Sequence, residues 1–153
     1  ANHKEVCRQK SEEEGTLVKD FYNRLLGSTF LDEKNNKKIM NEEDILVVAP
    51  YNVQVNYLKS ILPKDAKVGT IDKFQGQQAP ATIISMTTSD PESLPRNVDF
   101  FFSRNRLNVA ISRSQCLSII IMNKKILEIA CKKIKHIHLV NTFMKLLEFE
   151  KTI

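Results

Sequence analysis

Three short polar stretches, each beside an apolar run, hold the side chains best suited to chemistry. The first is APYNVQ, which carries Tyr51 and Gln54. The second is DKFQGQQ, where Gly76 lies among Gln75, Gln77 and Gln78, a few residues after Thr70 and next to Lys73. The third is SRNRLNVAISRSQ, with Arg106 and Arg113 beside Arg104, which reads as surface charge. A glycine lets backbone approach a ligand closely and accepts dihedrals closed to other residues, though Gly76 also suits an ordinary capped strand-to-helix turn. A threonine hydroxyl with nearby amides fits sequence-independent contact to a phosphate backbone. Tyr51 offers a ring that stacks on a base or covers a sheet edge, and Lys73 either reaches a phosphate or stays solvated. Arg106 and Arg113 stand two helical turns apart and share a helix face; alone, that pattern equally describes a solvated surface.

Other chemistries find little support. Cys7, Cys116 and Cys131 are an odd, widely spaced set with no CxxC pair, so neither a zinc site nor a disulfide frame is indicated. Cys116 and Cys131 read as small core residues in a reducing compartment, which implies an intracellular setting, cytoplasmic or, in a eukaryote, nuclear. His3, His136 and His138 have no metal-ligand partners at useful spacing, and no metal site is expected. A nuclease centre needs carboxylates and a lysine grouped on strand ends, whereas SEEE and LDEK read as a helix start and a loop. The net charge of +5 suits a polyanion partner without proving one. No apolar stretch reaches the ~20 residues of a membrane span.

Hydrophobic residues make up 42 % of the 153, enough for one ordinary core. Residues 11–26 read as a helix, with Ser11 and Glu14 as a capping box and Leu17, Phe21 and Leu25 in a stripe. The polar run LDEKNNKK reads as loop. ILVVA (45–49) is a short buried strand ended by Pro50, and Asn52 is placed to cap a second helix that Pro63 stops. KVGTI and ATIISMT are two further strands, the latter apolar enough to be covered on both faces. A loop over 90–103 leads to a helix with Leu107, Ala110 and Ile111, then to a fourth strand, LSIIIM (117–122). Two more helices close the chain, the last with Val140, Phe143, Met144 and Leu147 at helical spacing. Strands alternating with helices predict an α/β fold with a mainly parallel sheet. In such folds ligands sit in the loops at the carboxyl ends of the strands.

VVAPYNVQVNYL, VGTIDKFQGQQAPATIISMTTS and NRLNVAISRSQCLSIII, in this order, resemble motifs IV, V and VI of superfamily 1 helicases. The wording is nearest the 5′→3′ branch that holds RNA-surveillance helicases and nuclease–helicase fusions. The resemblance covers roughly residues 10–125 and implies the second, C-terminal RecA-like motor domain, a three-layer P-loop NTPase-like fold with helices flanking a central sheet. It implies one domain over residues 1–153, a fragment of a longer protein. The GxxxxGK[ST] phosphate loop and acidic strand end of the first motor domain do not occur here.

By this resemblance, Arg113 is the motif VI arginine that faces the γ-phosphate across the interdomain cleft. Gly76 carries the motif V turn beside the nucleotide. Gln78 takes the place of the family's usual acid, which accepts from the ribose hydroxyls. Arg106 contacts phosphate or holds the motif V loop, and Gln54 faces the nucleotide cleft or only caps its helix. Thr70, Tyr51 and Lys73 fall on the nucleic-acid side. ATP and Mg²⁺ are implied for the full-length enzyme, in a site shared with the first domain, and this chain alone is expected to bind neither. Its expected partners are that first domain of the same polypeptide and single-stranded DNA or RNA, without a membrane. Two alternatives stand beside the motor: a degenerate domain that binds nucleic acid as a scaffold, and a translocase that remodels complexes without unwinding duplex.

Overall fold

A computed structural model describes residues 9–87 and 109–123, with positions 125, 137, 138, 141 and 144. Arg104, Arg106, Cys7, Cys131, His3, His136, the expected loop over 90–103 and most of the two closing helices lie outside these residues.

Helix α1 spans Glu12–Leu25. Ser11 caps it, its Oγ accepting from the Glu14 N–H at 3.1 Å, and three glutamates occupy the first turn, where the helix dipole favours negative charge. Val18 and Tyr22, one turn apart, are fully buried, with Leu17, Phe21 and Leu25 packed beside them. The chain then forms a hairpin where a loop was expected. Strand β1 (Thr29–Leu31) pairs antiparallel with β2 (Lys37–Ile39). Asp32 builds its turn: Oδ1 accepts from the N–H groups of Lys34 and Asn36, each at 2.9 Å, and Oδ2 meets Lys38 Nζ at 3.1 Å. These bonds, the Asn36 amide foremost, hold the carboxyl at about 2, below its ordinary 3.8. Local side-chain hydrogen bonding makes this hairpin, and no apolar alternation announces it.

Strand β3 (Ile45–Val48) lies between β4 (Lys67–Gly69) and β5 (Ala79–Ser85), and β6 (Ser114–Ile121) pairs with the far side of β5. All three pairings are parallel. Period-two alternation divides the strands between two faces. Ile45, Val47, Ala81 and Ile83 join Val18, Tyr22 and Leu58 in one cluster, while Leu46, Val48, Thr82 and Ile84 are buried outside it. All residues of β3 and β5 are buried, as expected of strands covered on both sides. Helix α2 (Asn52–Ile61) packs on β4 and against α1. The fold is therefore α/β, a four-stranded parallel sheet flanked by helices.

Several boundaries differ from the sequence expectation. Tyr51, not Asn52, is the N-cap of α2, and it makes no side-chain capping bond. Strand β4 stops at Gly69 because Ile71–Phe74 wind into a 3-10 turn. Strand β5 begins at Ala79 and so includes Pro80; the register slips between Ala79 and Ala81, where a residue without an N–H interrupts the ladder. Strand β6 begins at Ser114. Cys116, expected in the core, is exposed on β6, with its Sγ 3.7 Å from the Leu31 carbonyl of the hairpin. Gln115, Cys116 and Leu117 are exposed in succession, so among the described residues this half of the edge strand is open on both faces and the thiol is exposed whichever way it points.

Candidate functional site

The parallel register separates the candidate residues into two groups at opposite ends of the sheet. Val48, at the carboxyl end of β3, pairs with Gly69, while Ile45, at its amino end, pairs with Ala81. Residues 70–78 therefore run from the carboxyl end of β4 back to the amino end of β5, about 17 Å along the strand direction at ~3.3 Å per residue. The first residues after β4 and the last before β5 serve different ends. Gly76, Gln77 and Gln78 thus gather at the amino end of β5, against the expectation that this loop presents its ligand groups at strand carboxyl ends.

At that amino end Arg113 joins them. Ala79 and Ser114 are register partners, and the Ala79 N–H donates to the Arg113 carbonyl at 2.8 Å. The side chain turns the same way: Nη1 donates to the Gln77 carbonyl at 3.4 Å, and Nε to the Val109 carbonyl at 3.2 Å. Gly76 has φ 81°, the left-handed region that glycine occupies without penalty, and a Cβ there would meet nothing within 4 Å. The glycine is needed for its dihedral, not for space. Gln77 and Gln78 are exposed. A guanidinium beside an open amide-bearing loop is an arrangement suited to phosphate and hydroxyl groups.

At the carboxyl end the picture is tighter. Thr70 caps the 3-10 turn through its backbone, accepting from the Lys73 N–H at 3.0 Å, and its hydroxyl takes no part in the cap. Lys73 folds back, its Nζ donating to the Val68 carbonyl at 3.3 Å. A Cβ on Gly69 would lie 2.6 Å from Lys73 Cδ and 3.1 Å from the Phe74 ring, so a side chain there would displace the flexible Lys73 chain and press on that ring. Tyr51 is only 6 % exposed, which leaves its ring no open face for a base in this conformation. Gln54 is fully buried: its Oε1 accepts from Ser11 N–H at 2.9 Å, and Nε2 donates to the Ser11 carbonyl at 3.1 Å and to Ser85 Oγ at 3.2 Å.

A family profile described as AAA domain (AAA_12) matches residues 2–125. The chain belongs to this family. Similar proteins include DNA polymerase alpha-associated DNA helicase A of Saccharomyces cerevisiae, 28% identical over 127 residues, covering 78% of this chain and 18% of that protein. Its Schizosaccharomyces pombe namesake is 38% identical over 77 residues, covering 48% of this chain and 11% of that protein. RNA helicase Mov10l1 of Mus musculus is 34% identical over 95 residues, covering 58% and 8% respectively. The chain spans less than a fifth of the length of these curated relatives. Together with the parallel sheet, these likenesses place it among the superfamily 1 helicase motor domains.

This helicase domain brings three of the expected residues together, Gly76, Gln78 and Arg113, and sets Gln54 apart from them at the other end of β5. Arg106 lies outside the described residues. Among the described residues no three His, Cys, Asp or Glu side chains gather as a metal site requires. One group was not foreseen. Glu14 appears in the sequence as half of a capping box, but its side chain does not return to the Ser11 N–H, which Gln54 occupies. It turns inward instead, fully buried, and Oε2 accepts from Ser85 Oγ at 2.6 Å and from the Thr87 N–H at 2.8 Å. Nothing in the spacing could signal a contact across 71 residues of sequence.

Proposed function

We propose that this chain is the C-terminal motor domain of an ATP-dependent superfamily 1 helicase, supplying an arginine finger and part of the groove for a single strand. The observation that carries the reading is the junction of the motif V loop with Arg113 at the amino ends of β5 and β6. The Arg113 guanidinium is held by two long hydrogen bonds to carbonyls, which it can exchange for a phosphate presented from a facing domain. In phosphoryl transfer negative charge spreads over the equatorial oxygens, and an arginine from outside the phosphate-binding domain stabilises it. The exposed Gln78 amide is available to a ribose hydroxyl, and Gly76 keeps the turn clear of side chains. The nucleotide's other half-site, including the residues that hold Mg²⁺, is proposed to belong to the first RecA-like domain.

The carboxyl end, with Thr70, Lys73 and Tyr51, is the proposed strand side. Backbone amides and a hydroxyl there suit phosphate contact without base reading. Whether the strand is DNA or RNA does not transfer from the relatives, since one is named a DNA helicase and another an RNA helicase. A scaffold role has one observation in its favour, the uncharged Gln78 where the family places an acid. The deciding experiment is ATP hydrolysis by the full-length protein with and without single strand, beside titration of the isolated chain with ATP. The motor reading expects strand-stimulated hydrolysis and no affinity of the isolated chain tighter than about millimolar, roughly −4 kcal/mol. A micromolar dissociation constant for the isolated chain would sink the shared site; a full-length protein without hydrolysis would favour the scaffold.

A further inference from the structure

The inward turn of Glu14 comes at a cost that helix capping does not explain. An exposed carboxylate in the first turn already gains from the helix dipole; burying it forfeits hydration, a large penalty unless the group is fully engaged. Here one oxygen, Oε2, is engaged with the end of β5. Ser85 Oγ donates to Glu14 Oε2 at 2.6 Å while accepting from Gln54 Nε2 at 3.2 Å, and Gln54 grips both backbone groups of Ser11. Glu14, Ser85, Gln54 and Ser11 thus form a closed, buried circuit joining the starts of α1 and α2 to the carboxyl end of β5.

The circuit also holds an unusual backbone. Thr87 adopts φ 75°, a region that a β-branched residue rarely enters, and its N–H is the second donor to Glu14 Oε2 at 2.8 Å. Such a conformation persists where the surroundings over-determine it. Gln54 lies in the first turn of α2, one turn after Tyr51. The circuit therefore sets the spacing between the α2 start and the β5 end, which flank the face where the strand is proposed to lie.

We propose that Glu14 is a positioning residue for single-strand binding, fixing the end of β5 against the first turn of α2. This inference rests on the helicase reading above. It is tested in the full-length protein by fluorescence anisotropy with a labelled oligo-dT and a labelled oligo-U, beside steady-state ATP hydrolysis and thermal melting. Glu14→Asp keeps the charge but withdraws the oxygen by one methylene, so that it cannot serve both donors. It is expected to weaken strand affinity by up to about ten-fold, the limit reached if the energy of one charge-assisted hydrogen bond goes wholly into holding the strand-binding arrangement, with KM for ATP and kcat at saturating strand within about two-fold. Glu14→Gln retains an oxygen that accepts both bonds and is expected to stay within about three-fold of wild type. Unchanged strand affinity in a folded Glu14→Asp protein overturns the inference. So does a parallel loss of strand affinity, KM for ATP and kcat in both variants, since that marks a general packing defect. Strand affinity is read without hydrolysis, so a wild type that binds strand but does not hydrolyse ATP removes the motor reading and leaves this test intact. A wild type that binds no strand overturns both.

Discussion

Replacing Arg113 with alanine should separate chemistry from folding, and the structure sets the two magnitudes apart. The side chain makes two hydrogen bonds within the domain, at 3.2 and 3.4 Å, both to main-chain carbonyls of a partly open surface. The donor is charged, but both bonds are long and partly solvated, so each contributes about 1 kcal/mol or less, and urea unfolding should register a loss of no more than about 1–2 kcal/mol. A guanidinium that meets charge developing in the transition state has a larger effect, about 10³–10⁵ in turnover for GTPases. By the resemblance a second arginine, Arg106, would substitute in part, so a fall of about 10²–10⁴ in strand-stimulated kcat is expected, or roughly 3–5 kcal/mol at 1.36 per decade. Nucleotide affinity should fall far less, because the interaction strengthens in the transition state rather than the ground state. Arg113→Lys should fail nearly as badly, since a point charge does not reproduce the planar fork. The assay is steady-state ATP hydrolysis by the full-length protein at saturating single strand, with circular dichroism of each variant. Near-normal turnover in Arg113→Ala would refute the catalytic role, and a lost folded spectrum would make the residue structural.

Gln78→Glu should preserve or improve nucleotide affinity in the full-length protein, because a hydrogen bond to a charged acceptor contributes about 1.5–3 kcal/mol against roughly 1 for a neutral one; equal affinities and turnover for Gln78→Glu, Gln78→Ala and wild type would leave the position no role in nucleotide binding. Gly76→Ala should cost about 1–2 kcal/mol in urea unfolding, since φ 81° is unfavourable with a Cβ while no neighbour lies near enough to clash; a neutral substitution would show that the turn relaxes without penalty. For Asp32 the folded carboxyl sits at about 2 against 3.8 unperturbed, so the unfolded chain takes up the proton first as pH falls. The hairpin's stabilisation is then fully present above pH ~4 and is lost progressively toward pH ~2, which carboxyl NMR titration of wild type against Asp32→Asn would follow; an Asp32 midpoint near 4 would contradict the bonding seen here.

What was legible in the sequence is what repeats or recurs locally. The four-residue stripe of α1, the β-branched runs of β3 and β5 and the wording of the three motifs each carry their signal within a short window. Ala79 and Pro80 escaped because proline argues against a central strand; a register slip accommodates it. The hairpin escaped because its signal is one side chain, Asp32, bonding to amides up to four residues away. Cys116 was misplaced because composition says only that cysteine is often buried, whereas it lies on the half of β6 that is exposed on both faces. Glu14 and Gln54 were visible as residues but not as partners: each has a plausible local job at a helix start, and contacts from distant parts of the chain override both.

The division of the candidates between two sheet ends gives the connection over residues 70–78 a particular importance. It has no long helix to cushion movement. Consecutive turn bonds, Lys73 N–H to the Thr70 carbonyl at 3.0 Å, Gln75 N–H to Asp72 at 3.3 Å and Gln77 N–H to Phe74 at 3.0 Å, lead from one end toward the other. Midway, Phe74 is 3 % exposed and lies close over Gly69, which pins the connection to the sheet. At its far end the Gln77 carbonyl accepts from Arg113. Under the motor reading, a guanidinium drawn toward a phosphate releases that carbonyl, and the buried Phe74 limits how far the change can spread along the segment before it is felt. Coupling between sites needs an element whose arrangement both ligands bias. Under the motor reading this short connection is where such an element would lie, because one end of it leads into the proposed nucleotide side and the other begins at Thr70 on the proposed strand side.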